Sequence, residues 1–518
     1  MSARALMVLG TASHVGKSMV TAALCRIFAQ DGMRVAPFKA QNMSLNSAAT
    51  PDGLEIGRAQ ALQAEAAGIA SSVDMNPILL KPAGAGRSQV VVLGRIWGNI
   101  DAYDYHRRRV DELFPIVVDA YRRLADAYEI VVLEGAGSPA EINLKDTDIV
   151  NLRMAQAADA HCVLVGDIDR GGVFASLLGT LELLEPHERA RIKAFVVNKF
   201  RGDRALLDDG IAHIERRLGI PCAGVVPWLD AINLDDEDSV CLEERPRISR
   251  FPRRAFDDPA RSLRVGVVAL PYLANFTDFD ALACEPSVEL GYARTAQELE
   301  RVDLIIIPGS KATLADLAWL REHGLSEAIE RAAQDALVFG ICGGMQILGT
   351  TISDPQDMEG GGAANGLGLL SIDTVLHAEK TTIPVRGRFA SSELFGETLP
   401  EDAEIVGYEI HVGQTRLRAP AKPLLHILRT GHAQAVLDGA ISSCGRVAGT
   451  YVHGLFAEDA PRRAFVRAAR AACGLSPAPR FADVAEQREM RLDRLAAHVR
   501  ASLDLSLLGL SPPLSNAP

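Results

Sequence analysis

The stretch ALMVLGTASHVGKSMVTAALCRIFAQ, residues 5–30, decides how the first half of the chain folds. Its apolar opening, 5–9, has the length and composition of a buried strand. Residues 10–18 form a loop that closes on Gly-Lys-Ser, and 19–30 carry a helical pattern. A strand, a glycine-containing loop and a helix in this order make a phosphate cradle. Backbone N–H groups and the helix N-terminus face the phosphate oxygens, Lys17 adds a point charge, and the Ser18 hydroxyl reaches magnesium. Gly10, Thr11, Gly16, Lys17 and Ser18 are therefore the candidate nucleotide-binding residues. The spacing departs from the usual loop, because Thr11 stands four residues before Gly16 and Gly10 lies one further out. A glycine turn with an incidental lysine is the competing reading, and the strand–loop–helix context weighs against it.

Further apolar runs at 34–38, 129–135, 161–167 and 193–200 alternate with helical patterns, which predicts a mostly parallel sheet with both faces covered. Glu134 ends one such strand in VLEGAGS, where a carboxylate can hold magnesium beside phosphates. A capping or surface carboxylate is the plainer alternative. Asn198 and Lys199 end another strand. Lys39 follows the second strand in PFKAQN, and either neutralises phosphate or a substrate carboxylate or is an ordinary solvated lysine.

After 230 the pattern breaks into an acidic stretch, LDDEDS, and then a basic, proline-containing one, RPRISRFPRR. This reads as a linker over 236–262 between a first domain, 1–235, and a second, 263–460. The second α/β series has apolar runs at 263–270, 302–310, 336–344 and 445–454. The glycine-rich EGGGAANGLG at 359–368 reads as a loop, and 461–518 as a helical segment ending in a frayed SPPLSNAP tail.

Cys342, in FGICGGMQ, stands directly after an apolar strand and before a helical stretch. That is a nucleophile elbow: the glycines permit the sharp turn, and the helix N-terminus favours the reactive thiolate. Cysteines are more often inert core residues, which suits the other seven, but three local glycines are poor packing for a core position. His453 ends the run VAGTYVH and is the candidate base. Pro308-Gly309-Ser310 follows the strand DLIII, so Gly309 and Gly343 offer backbone N–H groups for an oxyanion.

The bulk numbers agree with a globular enzyme of two or three domains: 518 residues, 48% hydrophobic, 23% charged and 5% aromatic. A net charge of −12 argues against a general binder of nucleic acid or of anionic membranes, though not against an anionic substrate. The eight cysteines show no CxxC spacing, so neither a zinc site nor a disulfide framework is expected. No run approaches transmembrane length and no signal peptide is evident, so the cytoplasm is the expected location.

Two resemblances attach to these residues. The loop GTASHVGKS, with Glu134 and the strand-ending Asn198-Lys199, resembles the dethiobiotin synthetase group of ATP-dependent ligases, in which the latter pair recognises the nucleotide base. Cys342 with His453 is similar to the class I, or triad, glutamine amidotransferases, and that resemblance places Gln346 against the glutamine substrate. One departure stands out: the position two after the histidine, usually Glu, is Leu455. Glu409 and His411 in GYEIHVG are possible helpers. Joined in one chain, with PFKAQNMSLNS, GRAQALQAEAAG, MNPILLKP, EGAGSPAEINL, GDIDRGGVFAS, VVNKFRGD, IIPGSKAT and GYEIHVG, the two halves resemble the cobyric acid synthase family of cobalamin-pathway amidases.

The resemblance implies an α/β protein of two doubly wound domains, an N-terminal P-loop-type parallel sheet and a C-terminal flavodoxin-like amidotransferase domain. It implies amidation of the b, d, e and g carboxylates of adenosylcobyrinic acid a,c-diamide, with ATP, Mg²⁺ on Ser18 and Glu134, and L-glutamine as nitrogen donor. No bound prosthetic group, nucleic acid or membrane partner is implied. Lys39, Arg170, Arg201 and the 42–46 segment are candidate substrate contacts, each equally readable as a loop-satisfying residue. The alternatives are an a,c-diamide synthase or related polycarboxylate ligase, a P-loop partition ATPase, and a thiol half reduced to partner binding. A partition ATPase usually has a second early lysine in its loop, and it has no use for an elbow.

Overall fold

The computed structural model describes residues 3–82, 87–230, 247–248, 258–400 and 403–509. The chain divides into two compact units, one of Met1–Met43, Glu55–Glu237 and Arg488–Pro518, the other of Ser44–Leu54 and Asp238–Gln487.

In the first unit six parallel strands lie in the order Cys222–Pro227, Ile192–Phe200, His161–Asp167, Arg4–Gly10, Ile130–Glu134, Val35–Phe38. Apolar residues make up most of them, and the central ones are buried almost end to end, as strands covered on both faces must be. Pairing of Val8 with Glu134 sets the carboxylate beside the strand that runs into the phosphate loop. A separate four-stranded sheet of Gln41–Met43, Ile78–Pro82, Arg87–Val92 and Arg95–Asp101 belongs to the same unit.

The second unit has a sheet in the order Val288–Ala293, Leu263–Val268, Leu304–Ile307, Leu337–Ile341, Val447–Thr450, Ala440–Ile441, parallel except for the last pair. Its first five strands follow the flavodoxin-like order, second-first-third-fourth-fifth. Beside it stands a sheet built on two long antiparallel strands, Ile372–Phe389 and Ile405–Leu417. The glycine-rich segment read as a loop is one only in part: Gly362–Asn365 is a strand of this sheet, entered through three glycines of positive φ.

The C-terminal segment does not stand apart. Phe465 and Val466 of the helix Asp459–Ala472 lie in the core of the second unit, while Leu492, Leu495, Ala496 and Val499 of Val484–Ser502 lie in the core of the first. Ile248, within the stretch read as a linker, is buried in the second core. Residues 236–246 (with Cys241) and 249–257 of that stretch, and the SPPLSNAP tail, lie outside the described residues. No helix among the described residues is long and apolar enough to cross a membrane.

Candidate active sites

In the first unit the helix Lys17–Gln30 starts at Gly16, whose φ of 99° is left-handed. A Cβ there would lie 2.2 Å from Asn198 Nδ2, so only glycine lets the loop and the Asn198 strand end meet. Asn198 Nδ2 donates to Val15 O at 2.8 Å and Lys199 Nζ to His14 O at 2.6 Å, which holds the loop from that side. Lys17 Nζ donates to Ala12 O at 2.9 Å and to Gly137 O at 3.0 Å, curling over the loop.

Glu134, 1% exposed, gathers three partners. Ser18 Oγ donates to Oε1 at 2.8 Å, Lys39 Nζ to the same oxygen at 2.9 Å, and Gln63 Nε2 to Oε2 at 2.6 Å. Lys39 is thus no solvated lysine but the buried cation of a carboxylate pair. Gln63, on the helix Arg58–Ala66, was not singled out from sequence, although its segment is among those that carry the resemblance. Its Oε1 is buried and has no hydrogen-bond partner among the described residues. The Ser18 hydroxyl, the Glu134 carboxylate and this orphan amide oxygen form an all-oxygen set. That suits Mg²⁺, which takes one or two protein oxygens and otherwise keeps water and phosphate. Thr11 is tied by its N–H to Val165 O at 3.0 Å. Arg170 stands exposed outside this bonded set, and exposed Arg201 pairs with Asp169 and lies over the Trp228 ring at 3.8 Å.

In the second unit Cys342 joins the strand Leu337–Ile341 to the helix Gly343–Leu348 with φ 52° and ψ −112°, a strained conformation for a non-glycine residue. Its N–H is held by Thr450 O at 2.8 Å and its carbonyl by the N–H of Gln346 at 3.1 Å. The turn is tight: a Cβ on Gly344 would lie 1.9 Å from Ile307 O. Gly309 sits over the Cys342–His453 pair, since a Cβ on it would come 3.2 Å from His453 Cε1 and 3.9 Å from Cys342 Cβ.

His453 is 1% exposed. Its backbone is clipped to Tyr408 in both directions, at 3.1 and 2.9 Å, and its ring stacks on the Tyr408 ring at 5.5 Å. The missing carboxylate comes from elsewhere in the chain. Asp278 Oδ2 lies 2.6 Å from His453 Nδ1, and Oδ1 accepts the Gly454 N–H at 3.0 Å. The Cys342 Sγ, which reaches Ile410 O at 3.6 Å, lies close enough to the ring to help raise its pKa. Burial alone would lower the His453 pKa, but the Asp278 carboxylate and the Cys342 sulfur outweigh it and raise it to about 10. The site holds a cationic imidazole beside the Cys342 sulfur.

Leu455 is buried in the apolar core and has no part in this. Glu409 and His411 do not serve His453. Burial would raise the Glu409 pKa, but His411 and Arg429 bring it down to about 2, with Arg429 bound at 2.6 Å and His411 at 3.3 Å. His411 stacks on Tyr451 instead. Gln346 is enclosed, its amide bridging Thr313 Oγ1 at 3.1 Å and the Tyr451 hydroxyl at 2.9 Å. The expectation of inert thiols holds for buried Cys25 and Cys162, whose pKa values burial pushes up, whereas Cys444 is exposed.

A phosphate cradle and a thiol–imidazole–carboxylate series in one chain define an ATP-dependent amidoligase that draws its nitrogen from glutamine. Comparison with known proteins agrees. Residues 6–240 match the CobQ/CobB/MinD/ParA nucleotide binding domain, and 264–461 the CobB/CobQ-like glutamine amidotransferase domain. The chain is 51% identical over 499 residues to the cobyric acid synthase of Klebsiella pneumoniae subsp. pneumoniae, covering 96% of each. It is 50% identical over 520 residues to that of Sorangium cellulosum, 98% of each, and 48% over 504 residues to that of Salmonella typhimurium, 97% of each. The chain belongs to the cobyric acid synthase family.

Proposed function

We propose that the protein amidates the b, d, e and g carboxylates of adenosylcobyrinic acid a,c-diamide to give adenosylcobyric acid, using one ATP and one glutamine each time. The Cys342–His453–Asp278 series carries this reading, because such a series activates a thiolate for attack on an acyl carbon, here that of the glutamine amide. Cys342 attacks the glutamine carbonyl while the N–H groups of Gly309 and Gly343 hold the developing oxyanion. His453 gives its proton to the departing ammonia, then takes one from the water that cleaves the thioester and frees glutamate. Asp278 keeps the imidazole oriented throughout, and Gln346 borders the glutamine.

A carboxylate resists attack by ammonia, so it is first made into an acyl phosphate. Its oxygen takes the γ-phosphoryl group of ATP, ADP leaves, and ammonia then displaces phosphate. Lys17 and the loop N–H groups spread the charge of the transferring group, Lys39 steers the carboxylate, and Asn198 and Lys199 border the nucleotide base. Ser18 and Glu134 would hold Mg²⁺, whose part is to neutralise charge on the phosphate oxygens. Arg170 remains a candidate contact to the corrinoid. ATP, glutamine and a soluble corrinoid are substrates of the cytoplasm, where we place the reaction.

Mass spectrometry of the corrinoid products tests the reading. The wild type should convert four carboxylates with ATP and either glutamine or ammonium. Cys342→Ala should keep the ammonium-dependent reaction and lose the glutamine-dependent one; loss of neither sinks the division of labour.

A further inference from the structure

The chain leaves the nucleotide-binding unit after Met43, contributes Ser44–Leu54 to the amidotransferase unit, and returns at Glu55. We infer that this excursion sets the geometry of the thiol site, with Asn46 as its positioning residue. The inference rests on the reading of Cys342 as the glutamine-hydrolysing nucleophile.

Asp278 is carried by a single 3₁₀ turn, Phe276–Phe279, which follows Asn275 in the left-handed region at φ 54°. A turn this short begins with backbone N–H groups that have no partner of their own. Asn46, 1% exposed, supplies one: its Oδ1 accepts the Phe276 N–H at 3.1 Å. The exchange is reciprocal, since Asn275 Oδ1 accepts the Ser47 N–H at 3.0 Å. Ser44 Oγ accepts the Asn46 N–H at 3.0 Å and fixes the side chain's approach. These bonds locate Asn275 and Phe276, three and two residues before the carboxylate that orients the imidazole.

The same segment reaches the other side of the ring. Ser47 O accepts the Tyr408 hydroxyl at 3.2 Å, and it is the Tyr408 ring that stacks on His453. Both neighbours that define the imidazole plane are therefore tied to adjacent residues, Asn46 and Ser47. A tether of this kind matters to a catalytic base because a displacement near 1 Å is enough to cost about 100-fold in rate. It also explains why the 42–46 segment, read from sequence as either a substrate contact or a loop-satisfying stretch, has an asparagine at 46. The amide is spent on backbone at Phe276, inside the unit that cleaves glutamine.

The test uses the full-length protein with Asn46→Ala and, as a variant that deletes a single hydroxyl, Tyr408→Phe. Steady-state amidation is followed with glutamine and, separately, with ammonium. Asn46→Ala should lower kcat for glutamine by roughly tenfold or more with KM for glutamine within about twofold, since orientation rather than binding is lost. Its ammonium-dependent kcat and its KM for the corrinoid should stay within about twofold of wild type. Tyr408→Phe should fall in the same direction by a smaller factor, and does so even if Asn46→Ala fails to fold. Glutamine-dependent kcat unchanged in both variants overturns the inference. So does a parallel change in the ammonium reaction or in corrinoid KM for Asn46→Ala, which makes Asn46 a substrate contact, unless Tyr408→Phe alone impairs glutamine use. Failure of the underlying reading looks different: wild type and Cys342→Ala would then use glutamine equally well.

Discussion

At the scale of single residues, the histidine is the informative one. Its pKa is raised from 6.5 to about 10 against the direction that burial imposes, so the partner carboxylate decides its charge. A group whose folded pKa is raised contributes stability fully below 6.5 and loses that contribution as the pH climbs through about 10. Glutamine-dependent kcat/KM should therefore hold across the neutral range and fall on the alkaline side near pH 10. In Asp278→Asn that alkaline limb should move toward neutrality and kcat should drop by roughly 10²- to 10⁴-fold, with ammonium-dependent amidation spared. A pH profile that superimposes on wild type would contradict the assignment of Asp278. The candidate nucleophile and base stood out in the sequence because each ends an apolar run beside glycine. Asp278 was not, since it lies 175 residues from His453 and nothing local marks it. Its flanks, Phe276 and Phe279, indicate burial but not a destination.

Elements were legible where their side chains carry a clear period. Runs of Val, Ile and Leu gave away most strands of both parallel sheets, because burial on both faces leaves no room for polar residues. The long strand Ile372–Phe389 escaped notice: it is half exposed, and HAEKTT interrupts its alternation. The helix Val484–Ser502 shows the opposite limit. Leu492, Leu495, Ala496 and Val499 recur at helical spacing and announce a buried face, yet periodicity does not name what covers it. In the structure they join Leu24, Ile27 and Phe28 in one cluster. Arg500 pairs with Asp31 at 2.8 Å, and Arg26 with Glu489 at 2.7 Å, along the rim. Leu492 is fully buried, so Leu492→Ala should cost about 2–4 kcal/mol. Chemical denaturation checks this, and a change under about 0.5 kcal/mol, the usual size for surface positions, would remove the helix from the core.

At the scale of the whole molecule, the two chemistries must share one short-lived product. Ammonia is a nucleophile only while unprotonated, and at neutral pH most of it in bulk water is ammonium. The molecule should therefore use ammonia from its own glutamine in preference to that in solution. With glutamine carrying ¹⁵N in its amide and an equal concentration of unlabelled ammonium, the product amides should be mostly ¹⁵N; equal incorporation of both isotopes would mean that the ammonia equilibrates with solvent. Two α/β halves with these two tasks were legible in the sequence, since each has its own strand series and its own glycine-marked loop. The threading of the chain between them was not, because an eleven-residue excursion has too few apolar positions to betray its core.

That threading bears on how such a protein is inherited. A gene cut at the apparent boundary near residue 237 would leave the first product without the Arg488–Pro518 piece of its unit, and the second without Ser44–Leu54. Neither product would hold a complete set of its own parts, so each half expressed alone would lack a piece of its compact unit. The two catalysts are bound to a single reading frame by the path of the backbone.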